Sequence, residues 1–514
     1  MSKIRKIATL LAATLLALSI TACRQAAPAP EPTTTGGTDK LPIYYATMAT
    51  LPDVVSSLTS NSTIIMLEQV TANDIPTIRN LIHRSNQPYK ISLDLTLVTG
   101  LTSIPRDAFR NSDSLINIIL PETVSSIEDG AFSGCYFLNN IIIPDNVISI
   151  GKSAFDDCYS FSTITIPASV TSIGEDAFYP CGSLATINVA PNNPNYSNDQ
   201  NGVLFNKNKT VLIRCPQARE DAYTIPDSVT TVSKHAFASC QRLTGITIPV
   251  SVSSIGEAAF YSCKNLSTLV IPSSITEINK EVFFGCSGLT SVTFPNNLKT
   301  IGEEAFSGCS SLPEISIPAT VTDIDEEAFS ACNSFTTVFI PSSVTSIGEN
   351  AFLWCSNLTA ITVDSNNRDY SNDANGVLFN KNKTTLIKCP ETKTSYTIPD
   401  TVTGIEESAF HNCKNLTELT IPSSVIGIGR YAFYNCSSLT SITIPASVTS
   451  IEYYAFKDCT SLTSISFADP NNWYTKMDEN SSTESIPIDL SDPSTNVTYF
   501  ESTYDWYYWY KASN

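Results

Sequence analysis

The sequence predicts a solenoid of stacked 23-residue coils, and three observations carry that prediction. Phenylalanine recurs in an Ala-Phe-x-x-Cys context every 23 residues, through Phe109, Phe132, Phe155 and Phe178, then Phe237, Phe260, Phe283, Phe306, Phe329 and Phe352, then Phe410, Phe433 and Phe456. Around each Phe one phrase repeats, seen cleanly between Leu439 and Ile465. Within it, apolar and hydroxyl residues alternate up to a proline, as in Ser441-Ile442-Thr443-Ile444-Pro445. A fixed period of this size marks a repeat array whose units are too small to bury their own apolar sides and do so by stacking.

The chain opens with Lys3, Arg5 and Lys6, an apolar stretch from Ile7 to Leu18, and then Ile20-Thr21-Ala22-Cys23. A stretch this short, ended by small residues, reads as an export signal over 1–22 rather than a spanning helix. The last four residues resemble a bacterial lipobox, which makes Cys23 the lipidation site; the competing reading is ordinary cleavage beside an incidental Cys. Residues 23–40 are Pro-rich without apolar periodicity and read as a flexible tether. Residues 41–100 lack the repeat and read as a mixed α/β cap over the first coil. In this cap 63–67 and 90–95 read as strands, and a helix begins at Asn73-Asp74 with Pro76 in its first turn and Ile75, Ile78, Leu81 and Ile82 on one face.

Residues 101–467 are the array. In one coil the alternation reads as a half-buried strand that Pro445 ends, because proline cannot donate to a ladder. Val448 and Ile451 then turn inward, and Gly174, Gly256, Gly302, Gly348 and Gly429 fill the following slot, where small or left-handed geometry is expected. Acidic residues such as Glu303-Glu304 precede Ala-Phe, which suggests the start of a short helical piece. Its buried face is the core ladder of Phe132, Phe155, Phe178, Phe237, Phe260, Phe306, Phe329, Phe352, Phe410, Phe433 and Phe456, with Cys135, Cys158, Cys240, Cys263 and Cys309 three residues after their Phe.

Two inserts, near 190–224 and 364–397, interrupt the array. Residues 195–210 and 369–384 agree at 14 of 16 positions, an internal duplication in which Val203-Leu204-Phe205 and 210–213 make a hairpin. Ser197-x-Asp199-x-Asn201-Gly202 has the opening of a calcium loop, but Asn208 stands where such a loop needs a bidentate Glu, so a plain Asx turn is favoured. Residues 468–514 hold Trp473-Tyr474 and an aromatic run over 504–510, read as a lid on the last coil or, less favoured, a sugar-stacking platform.

The repeat phrase closely resembles the BspA-like leucine-rich repeat family, whose units read Leu-Thr-x-Ile-x-Ile-Pro-x-Ser-Val-x-x-Ile-Gly-x-x-Ala-Phe-x-x-Cys. The likeness spans residues 101–467, with local departures at Ser112, Val282-Phe283, Phe161 and Phe335. It implies a leucine-rich repeat solenoid, α/β or mostly β, on bacterial surface proteins used for adhesion and protein binding. It brings no catalytic residues and no cofactor.

Of fifteen cysteines, twelve stand at the repeat position. Parallel side chains directed into one core do not face each other, so buried free thiols are favoured over scattered disulfides. Three histidines, His83, His235 and His411, stand at no ligand spacing, and the last two occupy variable repeat positions expected to be exposed. No metal site, phosphate loop or nucleophile motif is evident, which argues against an enzyme. A net charge of −19 argues against nucleic acid.

What remains is binding. Ile142, Val270 and Phe339, with Glu314 and Glu418, interrupt the hydroxyl row on the outward strand face and are the candidate partner-binding residues, although isolated exposed apolar residues are common. The reading is a lipid-anchored protein of the bacterial envelope, outer-membrane and surface-exposed, that binds a protein or glycan of host or neighbouring cells. The alternative is a scaffold that organises the organism's own envelope.

Overall fold

The computed structural model describes residues 41–83, 89–477 and 486–511. The signal, Cys23 and the tether lie outside the described residues. The chain divides into two compact units, one of residues up to 183 plus 189–195, the other of 184–188 plus 196–514.

In the first unit a parallel sheet runs through Ile43–Ala46, Ser62–Met66, Ile91–Asp94, Leu115–Ile119 and Asn140–Ile142. The cap therefore adds its strands to the ladder that the first coils continue. Helices Leu51–Ser57 and Ile75–Ile82 cover it, the second starting after Asp74 with proline in its first turn and burying Ile75, Ile78 and Ile82. A second parallel sheet stacks the two-residue strands Ser103–Ile104, Ser126–Ile127, Ser149–Ile150 and Ser172–Ile173. Each coil thus supplies two strands, one before its proline and one after. The short strand was not predicted, because two residues are too few to show a period.

The second unit repeats this plan, except that the coil of Glu314 has no assigned strand before Pro318. Leu204–Asn206 and Val211–Arg214 pair antiparallel, with Tyr196–Asn198 as a third strand, and Val211–Arg214 then pairs parallel with Thr231–Val232. An insert hairpin thereby takes the ladder position of a missing coil. The second insert does the same, opening a nine-stranded sheet that passes through Thr385–Lys388, Gly404–Ile405, Gly427–Ile428 and Ser450–Ile451. Antiparallel strands Tyr508–Lys511 and Trp473–Lys476 close its end, burying Trp509 against Phe500 at 4.0 Å between ring centroids and Trp473 beside Phe467 at 5.2 Å.

The expected helical piece is a run of turns. The residue before Ala-Phe and, in every coil but that of Phe178, the residue two after Phe adopt left-handed backbone, as at Glu304 (φ 52) with Gly308 (φ 74) and Ser153 (φ 51) with Asp157 (φ 57). Two such residues within five break any helix. The amides they release bond across coils, Phe132 N to Ala154 O at 2.8 Å and Phe306 N to Ala328 O at 2.8 Å. With no helix there, the acidic residues have no dipole to meet. They bond neighbouring coils instead, as in Lys280 Nζ to Glu303 Oε1 at 2.6 Å and Lys152 N to Asp129 Oδ1 at 2.8 Å. Nor are the glycines of this slot left-handed; a Cβ at Gly174 would come within 2.3 Å of Lys152 N, so the preceding coil approaches too closely for a side chain at Gly174.

The phenylalanines stack in runs, Phe109 to Phe178 in the first unit and, in the second, Phe237 to Phe352 and Phe410 to Phe456 on either side of the second insert, with Phe109 and Phe132 centroids 5.4 Å apart and Phe237 and Phe260 4.9 Å apart. Every Phe and Cys of the ladder is buried, and the repeat cysteines are free thiols.

Candidate functional site

The outward strand positions are where the alternation leaves them. Ile142 is 66% exposed, Val270 62% and Phe339 49%, while Glu314 and Glu418 are exposed beside buried Ile315 and half-buried Leu419. Val270 pairs laterally with Thr293 and Phe339 with Thr362. Val270 and Phe339 occupy one row three coils apart, roughly 14 Å at the spacing of neighbouring strands, so each stands alone in a field of hydroxyls. Ile142 belongs to the first unit and Glu418 to the coils after the second insert.

The calcium-like loops are closed by their own chain. Asp199 Oδ1 accepts from Asn201 N and Val203 N, both at 2.9 Å, and its Oδ2 accepts from the Tyr223 hydroxyl at 2.8 Å. Asp373 repeats this with Asn375 N, Val377 N and the Tyr396 hydroxyl. These carboxylates are structural Asx acceptors. Among the described residues no group of three or more His, Cys, Asp and Glu could hold a metal ion.

His411 is buried, contrary to its expected exposure, while His235 is half-buried. The His411 ring lies edge-on to Trp354 at 4.6 Å and stacks on Tyr434 at 4.9 Å. Its first coil after the insert meets a buried polar turn in which Lys388 and Glu391 pair at 3.8 Å and Asn412 Nδ2 donates to Glu391 at 2.5 Å. Burial, reinforced by Lys388 and Lys414, holds the imidazole down to about 3. A single repeat could not reveal this, since the covering rings come from two other coils, Trp354 before the insert and Tyr434 after it.

The second insert also creates hollows that sequence reading missed. A cavity of about 320 Å³ lies over Phe352, Tyr370 and Leu378, with Asn350 and Ser408 among its polar lining. It shares Glu349, Thr385, Glu406 and Glu407 with a groove of about 640 Å³ that crosses the short strands toward Tyr508. In the groove Arg430 Nη2 meets Glu349 at 2.8 Å, Arg430 Nε bonds Glu407, and Arg430 Nη1 donates to the Tyr453 hydroxyl at 3.2 Å.

The model of the BspA type leucine-rich repeat region, in six copies, matches residues 92–206, 219–309, 276–394 and 385–503. The chain belongs to this family. The BspA-type array is thus similar to several solved bacterial proteins. A leucine-rich cell surface protein from Faecalibacterium prausnitzii is 31% identical, over 65% of this chain and 86% of that one, with a TM-score of 0.43. A leucine-rich repeat protein from Eubacterium ventriosum is 24% identical over 78% and 89%, with a TM-score of 0.37. Another, from Bacteroides ovatus, is 25% identical over 73% and 72%, with a TM-score of 0.30. No curated protein matches this BspA-type chain.

Proposed function

We propose that this protein is a bacterial surface binding module, anchored through lipid on Cys23, that attaches to a protein or glycan of host or neighbouring cells. The observation that carries the reading is the outward strand row, where Val270 and Phe339 are exposed on a scaffold whose other face is wholly committed to the Phe and Cys core. Exposed apolar residues ringed by hydroxyls suit contact with a partner. Membership of the BspA-type repeat family, a non-enzymatic scaffold fold, supports binding over catalysis. The relative from Faecalibacterium described as a cell surface protein agrees with an exposed location.

The test is attachment of the purified chain to host matrix proteins and cells, wild type beside the Val270→Glu/Phe339→Glu double variant. The variant should attach more weakly with an unchanged melting temperature, since outward residues contribute little to the core. Attachment equal to wild type would remove this row from the site. No attachment to any foreign surface would favour the envelope scaffold. For the anchor, Cys23→Ala should abolish partition into detergent, because the acyl chain supplies the membrane affinity at ~0.8 kcal/mol per buried CH₂. A variant that still partitions as a mature lipoprotein would refute it.

A further inference from the structure

In most coils the outward residue of the short strand is Ser, Thr or an acid, for example Ser254, Thr300, Asp323 and Ser450. In the two coils after the second insert it is Gly404 and Gly427. Neither has a left-handed φ. A Cβ at Gly404 would meet nothing within 4 Å, and one at Gly427 would meet only the end of the Ser450 side chain at 3.2 Å. Neither backbone geometry nor crowding asks for glycine here, and glycine in a strand costs stability, so two in succession need another reason. Their effect is steric. They form the floor of the 640 Å³ groove.

The walls are predominantly acidic. Glu349, Glu406, Glu407 and Glu452 line the groove and Arg430 is its single cationic lining residue. Four carboxylates face one guanidinium, so the groove is net acidic, and the Glu406 carboxyl is pushed up, first by partial burial and then by Glu349 and Glu452. Arg430 shows what the walls recognise: its guanidinium is gripped by two of these carboxylates and by a tyrosine hydroxyl. At the far end Tyr508 lines the groove and meets Tyr453 edge-on at 5.2 Å. Carboxylates and aromatic faces both favour a cation. Exposed Ile426 adds an apolar edge that the aliphatic part of a Lys or Arg side chain can cover.

From Thr385–Lys388 to Tyr508–Lys511 the groove crosses four strand spacings, roughly 19 Å, which matches about six residues of extended chain. We propose that the glycine-floored acidic groove binds an extended, Arg- or Lys-rich segment of a partner polypeptide. This site is separate from the outward strand row, so the proposal stands or falls apart from the attachment reading.

Fluorescence anisotropy of a labelled hexa-arginine peptide with the purified full-length chain tests it, with hexa-glutamate and neutral cellohexaose as comparison probes. Hexa-arginine should bind, more weakly at raised salt, and Gly404→Val should weaken it by about tenfold or more at unchanged melting temperature. Glu406→Gln should weaken it as well, while Val270→Glu/Phe339→Glu should leave it as it is. If Gly404→Val lowers the melting temperature, Gly404→Ser, the residue of neighbouring coils, replaces it. Equal binding by wild type and both groove variants would mean diffuse attraction to a chain of net charge −19 and would overturn the site. So would absence of hexa-arginine binding. Cellohexaose bound in its place and lost in Gly404→Val would assign the groove to a glycan and overturn the peptide proposal.

Discussion

The Cys158 thiol donates to the carbonyl oxygen of Phe132, one coil earlier, at 3.2 Å. That oxygen also accepts the Cys135 amide of its own coil at 3.1 Å, so both lone pairs are used. The relation recurs from Cys135 with Phe109 at 3.0 Å to Cys459 with Phe433 at 3.1 Å, except at Cys240 and Cys413, whose thiols face the insert carbonyls of Cys215 and Pro216 and of Cys389 and Pro390. A cysteine there is small enough for the core and polar enough to satisfy a buried carbonyl, which alanine is not. Cys263→Ala, losing the bond to Phe237 O and leaving a small void, should cost about 1–2 kcal/mol in denaturant unfolding.

The same thiols should resist modification while folded. Burial pushes Cys135 and Cys355 up to about 12 and Cys332 well upward, so thiolate is scarce at neutral pH as well as inaccessible. Alkylation counted by mass should label few repeat cysteines in the native protein and nearly all in denaturant. A majority unreactive in denaturant without reductant would mean disulfides.

Phe260 lies between Phe237 at 4.9 Å and Phe283 at 5.3 Å, so Phe260→Ala empties a slot shared by three coils. It should cost about 3–5 kcal/mol, whereas Thr247→Ala, on the exposed row, should change stability by less than about 0.5 kcal/mol. Equal melting shifts would contradict the assignment of inner and outer faces.

His411 gives the second unit an acid sensitivity. An unfolded His takes its proton near 6.5 but the buried ring only near about 3, so between these values the unfolded chain binds the extra proton. Stability from this group is full above pH 6.5 and falls as pH is lowered through that window, by up to about 1.4 kcal/mol per unit. His411→Phe, which keeps a ring beside Trp354, should flatten the difference between unfolding at pH 7 and at pH 4.5. Glu391, raised by burial, acts in the opposite direction and is common to both proteins.

Asp373 holds its insert loop through two amides and the Tyr396 hydroxyl. Asp373→Ala should destabilise by about 1–3 kcal/mol by leaving these donors without their acceptor, and calcium should not raise the melting temperature of either protein. A calcium-dependent rise that Asp373→Ala removes would restore the metal reading.

Several features were legible in single residues. The 23-residue return of Phe, the alternation before each proline and the duplicated insert predicted stacked coils, a hairpin at each insert and outward positions for Ile142, Val270 and Phe339, because each is a statement about periodicity along the chain. The helical piece was misread because the pattern of Ala-Phe-x-x-Cys is also that of a helix face. Nothing in Glu304 or Ser153 announces a left-handed backbone, which the stack imposes by taking their neighbours' amides across to the next coil.

By itself, then, the sequence determined which residues face the core and how often, since burial in a repeat follows from spacing alone. Tertiary structure alone decided what non-adjacent coils make together: the thiol bonds between Cys and the preceding Phe, the covering of His411 by Trp354 and Tyr434, and the groove in which Glu349 reaches Arg430. Glu349 and Arg430 are 81 positions apart, and only the insert's replacement of a coil sets that separation in space. A periodic sequence specifies the unit and its inward face; breaks in the period create hollows whose walls come from residues that no local pattern connects.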